Sequence, residues 1–79
     1  MKIELLGDDC RKCRLMKSNI LQALRNGGEK VEFQHVCEPG KFAEYGLLSL
    51  PGFAIDGEVK AEGRLLSVET ILRMILNKR

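Results

Sequence analysis

Cys10 and Cys13, separated by Arg11 and Lys12, follow a short apolar run and open an amphipathic one. Two thiols at this spacing either close a small disulfide ring across one helical turn or chelate a soft metal ion. Which of the two occurs is the functional question. The stretch Gly7-Asp8-Asp9-Cys10-Arg11-Lys12-Cys13-Arg14 therefore constrains the chain more than any other.

The elements around it are read from periodicity. Residues 2–6 alternate loosely around Ile3 and Leu5, and Leu6 adds a second apolar side, as in a strand covered on both faces. From Cys10 to about Asn26, Cys13, Met16, Ile20, Ala23 and Leu24 recur at steps of three and four, which predicts a helix with one buried face. Asp9 is the expected N-cap, and Gly27-Gly28 supplies a C′ residue that takes positive φ. Val31, Phe33 and His35 alternate with Glu32 and Gln34, the pattern of an edge strand that Pro39-Gly40 ends. Phe42, Ala43, Tyr45, Leu47 and Leu48 fit a short helix that carries Gly46 in its interior. Phe53-Ala54-Ile55 and Glu58-Val59-Lys60-Ala61-Glu62 flank Asp56-Gly57, a two-residue type I′ hairpin signal. Ser67 then caps a helix striped by Val68, Ile71, Leu72 and Ile75, with Lys78 and Arg79 at its end.

The resulting order, β-α-β-α-β-β-α, predicts an α/β fold: a four-stranded mixed sheet with helices on both faces, forming a single domain over residues 1–79. The first two strands are parallel because a helix separates them, and the final pair is an antiparallel hairpin.

Composition narrows the function classes. A net charge of +2 with scattered basic residues argues against a nucleic-acid partner. The N-terminus lacks the apolar core of about 7–15 residues found in a signal peptide, and no run approaches the ~20 apolar residues of a membrane span. A cytoplasmic location without membrane association is the expectation. In a reducing compartment three cysteines do not form a disulfide framework, so the close pair is redox-active or metal-binding.

Three features together, Cys10-Arg11-Lys12-Cys13 between first strand and first helix, Leu50-Pro51-Gly52 before the hairpin, and a terminal helix, resemble the thioredoxin-like fold. Within it they resemble the small glutaredoxin-sized redox-active disulfide proteins of prokaryotes, over essentially the whole chain. The resemblance implies a cis Pro51 packed beside the two cysteines, where it blocks a metal ion from chelating both sulfurs. It also implies a Leu50 backbone that pairs with the substrate chain. No tryptophan precedes Cys10, and the Pro-Tyr, Thr-Val-Pro and Gly-Gly signatures that glutaredoxins use around glutathione are missing. The implied electron donor is therefore of the thioredoxin-reductase type.

Thiol chemistry assigns the roles. A thiolate is the nucleophile, and an ordinary cysteine with a pKa of about 8.5 is only slightly ionised at neutral pH. Cys10, at the start of a helix, lies where free N–H groups and the macrodipole favour an anion. Arg11, Lys12 and Arg14 add positive charge there, and Asp8 and Asp9 oppose it. Cys13, which starts the apolar stripe, is the resolving thiol. The expected activity is reduction of protein disulfides by a Cys10/Cys13 couple in a monomer that needs no cofactor or metal, with Leu50, Pro51, Arg11 and Lys12 facing the substrate. Arg11 and Lys12 are equally well read as a solvated basic face or as a docking patch for an acidic partner.

The competing reading is a soft-metal-binding domain of the ferredoxin-like metallochaperone kind, using Cys10 and Cys13 with Cys37 as an optional third ligand. Such chains end in a strand, whereas Val68 to Ile75 predicts a terminal helix. Cys37, at the end of the second strand, emerges at the same sheet edge as Cys10. A thiol there resolves a disulfide, senses oxidation or completes a three-thiol site, although a lone strand-end cysteine is more often a small buried hydrophobe. His35 reads as a surface or half-buried strand residue, and Phe42, Tyr45 and Phe53 as core.

Overall fold

A computed structural model of the chain describes residues 1–27 and 30–78. Its elements are β1 (Lys2–Leu6), α1 (Arg11–Gly27), β2 (Glu32–Val36), α2 (Pro39–Glu44), β3 (Gly52–Ile55), β4 (Glu58–Glu62) and α3 (Val68–Lys78). The strands form one four-stranded sheet in the order β2-β1-β3-β4. β1 runs parallel to β2 and antiparallel to β3, and β3 pairs antiparallel with β4.

The two-residue period of β1 divides the core. Ile3 and Leu5 sit opposite Ile55 and Phe53 and point to one face, where they pack with Met16, Ile20 and Ala23 of α1 and Ile71 and Ile75 of α3. Leu6 points the other way, toward Val36, Ala54, Phe42, Tyr45 and Leu47, so α2 and the segment after it cover the second face. Full burial of each large aliphatic side chain stabilises the fold by roughly 1.5–3 kcal/mol. Most of that sum lies on the α1/α3 face, which makes the sheet and these two helices a firm platform for whatever protrudes from the top of β1.

Local signals act as the sequence indicates at the hairpin and at α3. Asp56 and Gly57 have φ of 50° and 83°, the two positive values a type I′ turn needs. The Thr70 N–H donates to Ser67 Oγ at 3.1 Å, which caps α3. Gly28 and Arg79, expected at the ends of α1 and α3, lie outside the described residues.

Two boundaries differ from expectation. Pro39 lies in the first turn of α2, so Pro39-Gly40 opens the second helix as well as closing the strand. Proline has no N–H to lose at that position, and its fixed φ is already helical. The helix also stops at Glu44, because Gly46 adopts φ 67°. Leu48 therefore falls outside it, 91% exposed. Among the described residues no helix is long and apolar enough to cross a membrane.

Candidate active site

Beyond β1 the chain makes one more ladder contact, Gly7 N–H to Val36 O at 3.0 Å, and then turns. Asp8 Oδ1 accepts the Cys10 N–H at 3.1 Å and holds the turn closed. The Arg14 N–H bonds to Cys10 O at 2.9 Å, so Cys10 occupies the N-cap position and α1 begins at Arg11. Asp9 is not the cap expected from the sequence; its carboxylate faces Arg14 at 3.9 Å. The cap role falls to sulfur: Cys10 Sγ accepts the Cys13 N–H at 3.3 Å, three positions along, where a capping oxygen would.

Cys10 is exposed, whereas Cys13 is fully buried at the head of the stripe continued by Met16, Ile20 and Ala23. Their sulfurs are 2.9 Å apart. Gly7 makes room for this pair, since a Cβ on it would lie 2.7 Å from Cys13 Sγ and 3.6 Å from Pro51 Cα. Pro51 is buried and Leu50 half-buried, and the peptide between them is cis. Pro51 O accepts the Gly63 N–H at 2.9 Å, and Lys12 Nζ reaches Gly63 O at 3.3 Å. Contacts thus run without a break from Cys13 through Gly7, Pro51 and Gly63 to Lys12. Arg11, next to Cys10 in the chain, is exposed and without an ion-pair partner among the described residues.

The electrostatics of the two thiols differ. Burial, followed by the hydrogen bond and charge of Cys10 and by Asp8, pushes the Cys13 thiol up to about 12. Asp8 is held below the ordinary carboxylate value, chiefly by its hydrogen bonds with the side chain and backbone of Cys10. Its Oδ1 also lies 3.7 Å from Cys13 Sγ. Cys13 keeps its proton at neutral pH, which leaves the exposed sulfur as the available nucleophile.

The sulfurs of Cys10 and Cys13 and a carboxylate oxygen of Asp8 all lie within 4.8 Å of one another. Two sulfurs bound to one zinc ion at about 2.3 Å each with tetrahedral angles stand roughly 3.7 Å apart. The observed 2.9 Å is shorter than that, between an S–S bond of about 2.05 Å and ordinary sulfur contact, and it suits a pair that exchanges a disulfide.

Cys37 is not part of this group, and it is exposed, so its reading as a small buried hydrophobe fails. Its sulfur lies 3.6 Å from His35 Nε2, which in turn is 3.2 Å from Gly7 O. A carbonyl only accepts, so the tautomer protonated at Nε2 donates to Gly7 O, and the other accepts from the Cys37 thiol. His35 is half-buried, as its strand position suggests.

Two polar residues here exceed what the sequence reading assigned. Asp8 organises the turn as well as opposing the nearby cations; an aspartate two residues before a helix cap is its signal. Glu4 is a carboxylate only 8% exposed in the middle of β1, and the Tyr45 hydroxyl donates to its Oε1. Its signal was a lone charge within an apolar strand.

Residues 1–76 match the model of a family described as "Thioredoxin domain". The chain is 37% identical over 75 residues to a protein named thioredoxin from Methanothermobacter thermautotrophicus, with 95% of this chain and 97% of that one covered. It is 32% identical over 69 residues to a protein named thioredoxin from Methanocaldococcus jannaschii, covering 87% and 79%. A solved structure titled "Structure of a malarial protein" superposes with a TM-score of 0.75 at 12% identity, over 96% of this chain and 93% of that one. That last likeness concerns the fold alone.

Proposed function

Since the chain belongs to the thioredoxin domain family, we propose that it is a thiol-disulfide oxidoreductase that reduces protein disulfides with the Cys10–Cys13 couple. The observation that carries this reading is the asymmetry of the pair: an exposed Cys10 sulfur 2.9 Å from a fully buried Cys13 sulfur, with the Cys13 N–H donated to Cys10. That N–H, the helix N-terminus and the nearby Arg11, Lys12 and Arg14 favour negative charge on Cys10.

In the first step the Cys10 thiolate attacks one sulfur of the substrate disulfide. A mixed disulfide forms, and the other substrate sulfur leaves as a thiolate that takes a proton from water. Cys13 then attacks Cys10 Sγ, and its proton passes to the departing substrate sulfur. The Cys10–Cys13 bond forms as the mixed disulfide breaks, and the second substrate thiol is released. Two electrons and two protons pass to the substrate, and an external dithiol donor restores the pair. Cys13 starts so close that resolution needs only a small movement to reach an S–S bond of about 2.05 Å.

The remaining assignments belong to the same proposal. Leu50, half-buried beside the couple, offers its backbone to an extended substrate chain, and Pro51 closes the floor of the site. Arg11 and Lys12 contact the substrate from the helix side. Residues 1–79 act as one domain, as a cytoplasmic monomer reduced by a thioredoxin-reductase type of donor.

The test is steady-state reduction of a protein disulfide such as that of insulin, with a small dithiol supplied as reductant. Catalysis above the dithiol background, lost in Cys10→Ser, supports the reading. No Cys10-dependent turnover, together with tight binding of a thiophilic ion through both thiols, would replace it with metal carriage.

A further inference from the structure

Building on the reductase reading, we propose that the surface beside Cys10 selects protein disulfides flanked by acidic residues. Two segments supply the charge. Arg11 and Lys12 are exposed in the first turn of α1, where positive charge opposes the helix macrodipole and is not there for the helix's benefit. Arg64, also exposed, follows Gly63, whose carbonyl is held by Lys12 Nζ at 3.3 Å. The contact brings the loop between β4 and α3 against the turn that carries Cys10.

The acids nearby keep their charge, but each is turned to another partner. Asp8 accepts the Cys10 N–H, Asp9 faces Arg14 at 3.9 Å, and Glu62 accepts the Leu48 N–H at 2.9 Å. Among the described residues Arg11, Lys12 and Arg64 have no carboxylate partner. The same Glu62 contact holds Leu48 beside Gly63, 91% exposed. The surface beside the couple therefore offers three cations without a carboxylate partner, a positive excess over the charges of Asp8 and Glu62, and one apolar side chain. Its complement is a polypeptide with carboxylates on either side of its disulfide and an apolar residue near by. Opposite charge of this kind acts mainly on the rate of encounter, and salt weakens it.

Two synthetic disulfide-linked peptides, identical except for glutamates or lysines flanking the cysteines, test the proposal with the intact protein and a dithiol regenerant. The expected kcat/KM ratio favours the glutamate peptide by about tenfold or more at roughly 20 mM salt and shrinks severalfold by about 500 mM. In Arg11→Glu/Arg64→Glu the ratio falls below one; a ratio within one variant is insensitive to overall loss of activity. If that variant does not fold, the salt dependence of the wild-type ratio decides alone. Equal rates on both peptides, or a ratio indifferent to salt, overturn the proposal and leave the reductase reading in place. Reduction of neither peptide by the wild type overturns both.

Discussion

The Cys10 sulfur lies 2.9 Å from the Cys13 sulfur and accepts the Cys13 backbone N–H at 3.3 Å. One residue thus faces solvent as an acceptor ready for negative charge, and the other waits beneath it with its proton held. This geometry separates attack from resolution. Cys13→Ser is expected to attack substrate once and stop, accumulating a one-to-one mixed disulfide through Cys10 that mass spectrometry detects. Cys10→Ser is expected to trap none and to lose turnover by about 10³-fold or more.

The proton on Cys13 has its own signature. With the thiol pushed up to about 12, the Cys13 thiolate of a Cys37→Ser protein titrated at 240 nm is expected to appear only as the pH approaches about 12. Adding Cys10→Ser removes the neighbouring hydrogen bond and charge, so Cys13 moves down, and burial keeps it above an ordinary thiol. A thiol whose value is raised on folding stabilises the reduced protein fully below the unfolded value of about 8.5. That contribution fades as pH climbs toward about 12, which denaturation against a Cys13→Ala reference measures.

Gly7 is the spacer between β1 and the dithiol. A methyl at its Cβ position would sit 2.7 Å from Cys13 Sγ, inside any normal contact. Gly7→Ala is expected to destabilise the protein by about 1–3 kcal/mol through overpacking. It should also slow resolution more than attack, since Cys13 is the atom displaced. Chemical denaturation and single-turnover thiol release report the two effects separately.

Beneath the second sheet face, Glu4 and Tyr45 tie α2 to β1. Tyr45→Phe leaves a buried carboxylate without its donor and is expected to cost about 1–3 kcal/mol. The Glu4 hydrogen bond, with burial behind it, raises the Tyr45 phenol above the ordinary tyrosine value. Phenolate absorbance near 295 nm should therefore appear at higher pH than for free tyrosine, and move down in Glu4→Gln. A double-mutant cycle isolates the pair's coupling.

Much of this architecture was legible in residue pattern. The stripe from Cys13 to Ala23, the Asp56-Gly57 turn and the Ser67 cap each couple a local preference to the packing that needs it, so pattern and fold agree. Contacts between residues distant in the chain were not legible. Nothing local to Glu4 names Tyr45 as its partner, and nothing local to Cys37 reveals that β2 ends with it exposed beside His35. The N-terminus of α1 failed for a different reason. Asp9 is a better capping residue than cysteine, yet Asp8 fixes the turn one step later and hands the cap to Cys10. α2 starts ahead of Phe42 because Pro39, which cannot continue a strand, is suited to the first turn of a helix.

The central claim is that Cys10 and Cys13 form one reversible two-electron couple, and the most direct measurement is equilibration of the protein against thiol buffers of defined potential. Rapid acid quenching and alkylation then count the free thiols. Cys10 and Cys13 are predicted to become protected together along a single two-electron curve, with a midpoint in the range of disulfide reductants, near −270 mV or within several tens of millivolts of it. Alkylation of Cys10 and Cys13 at every potential, or protection of one without the other, would contradict the account.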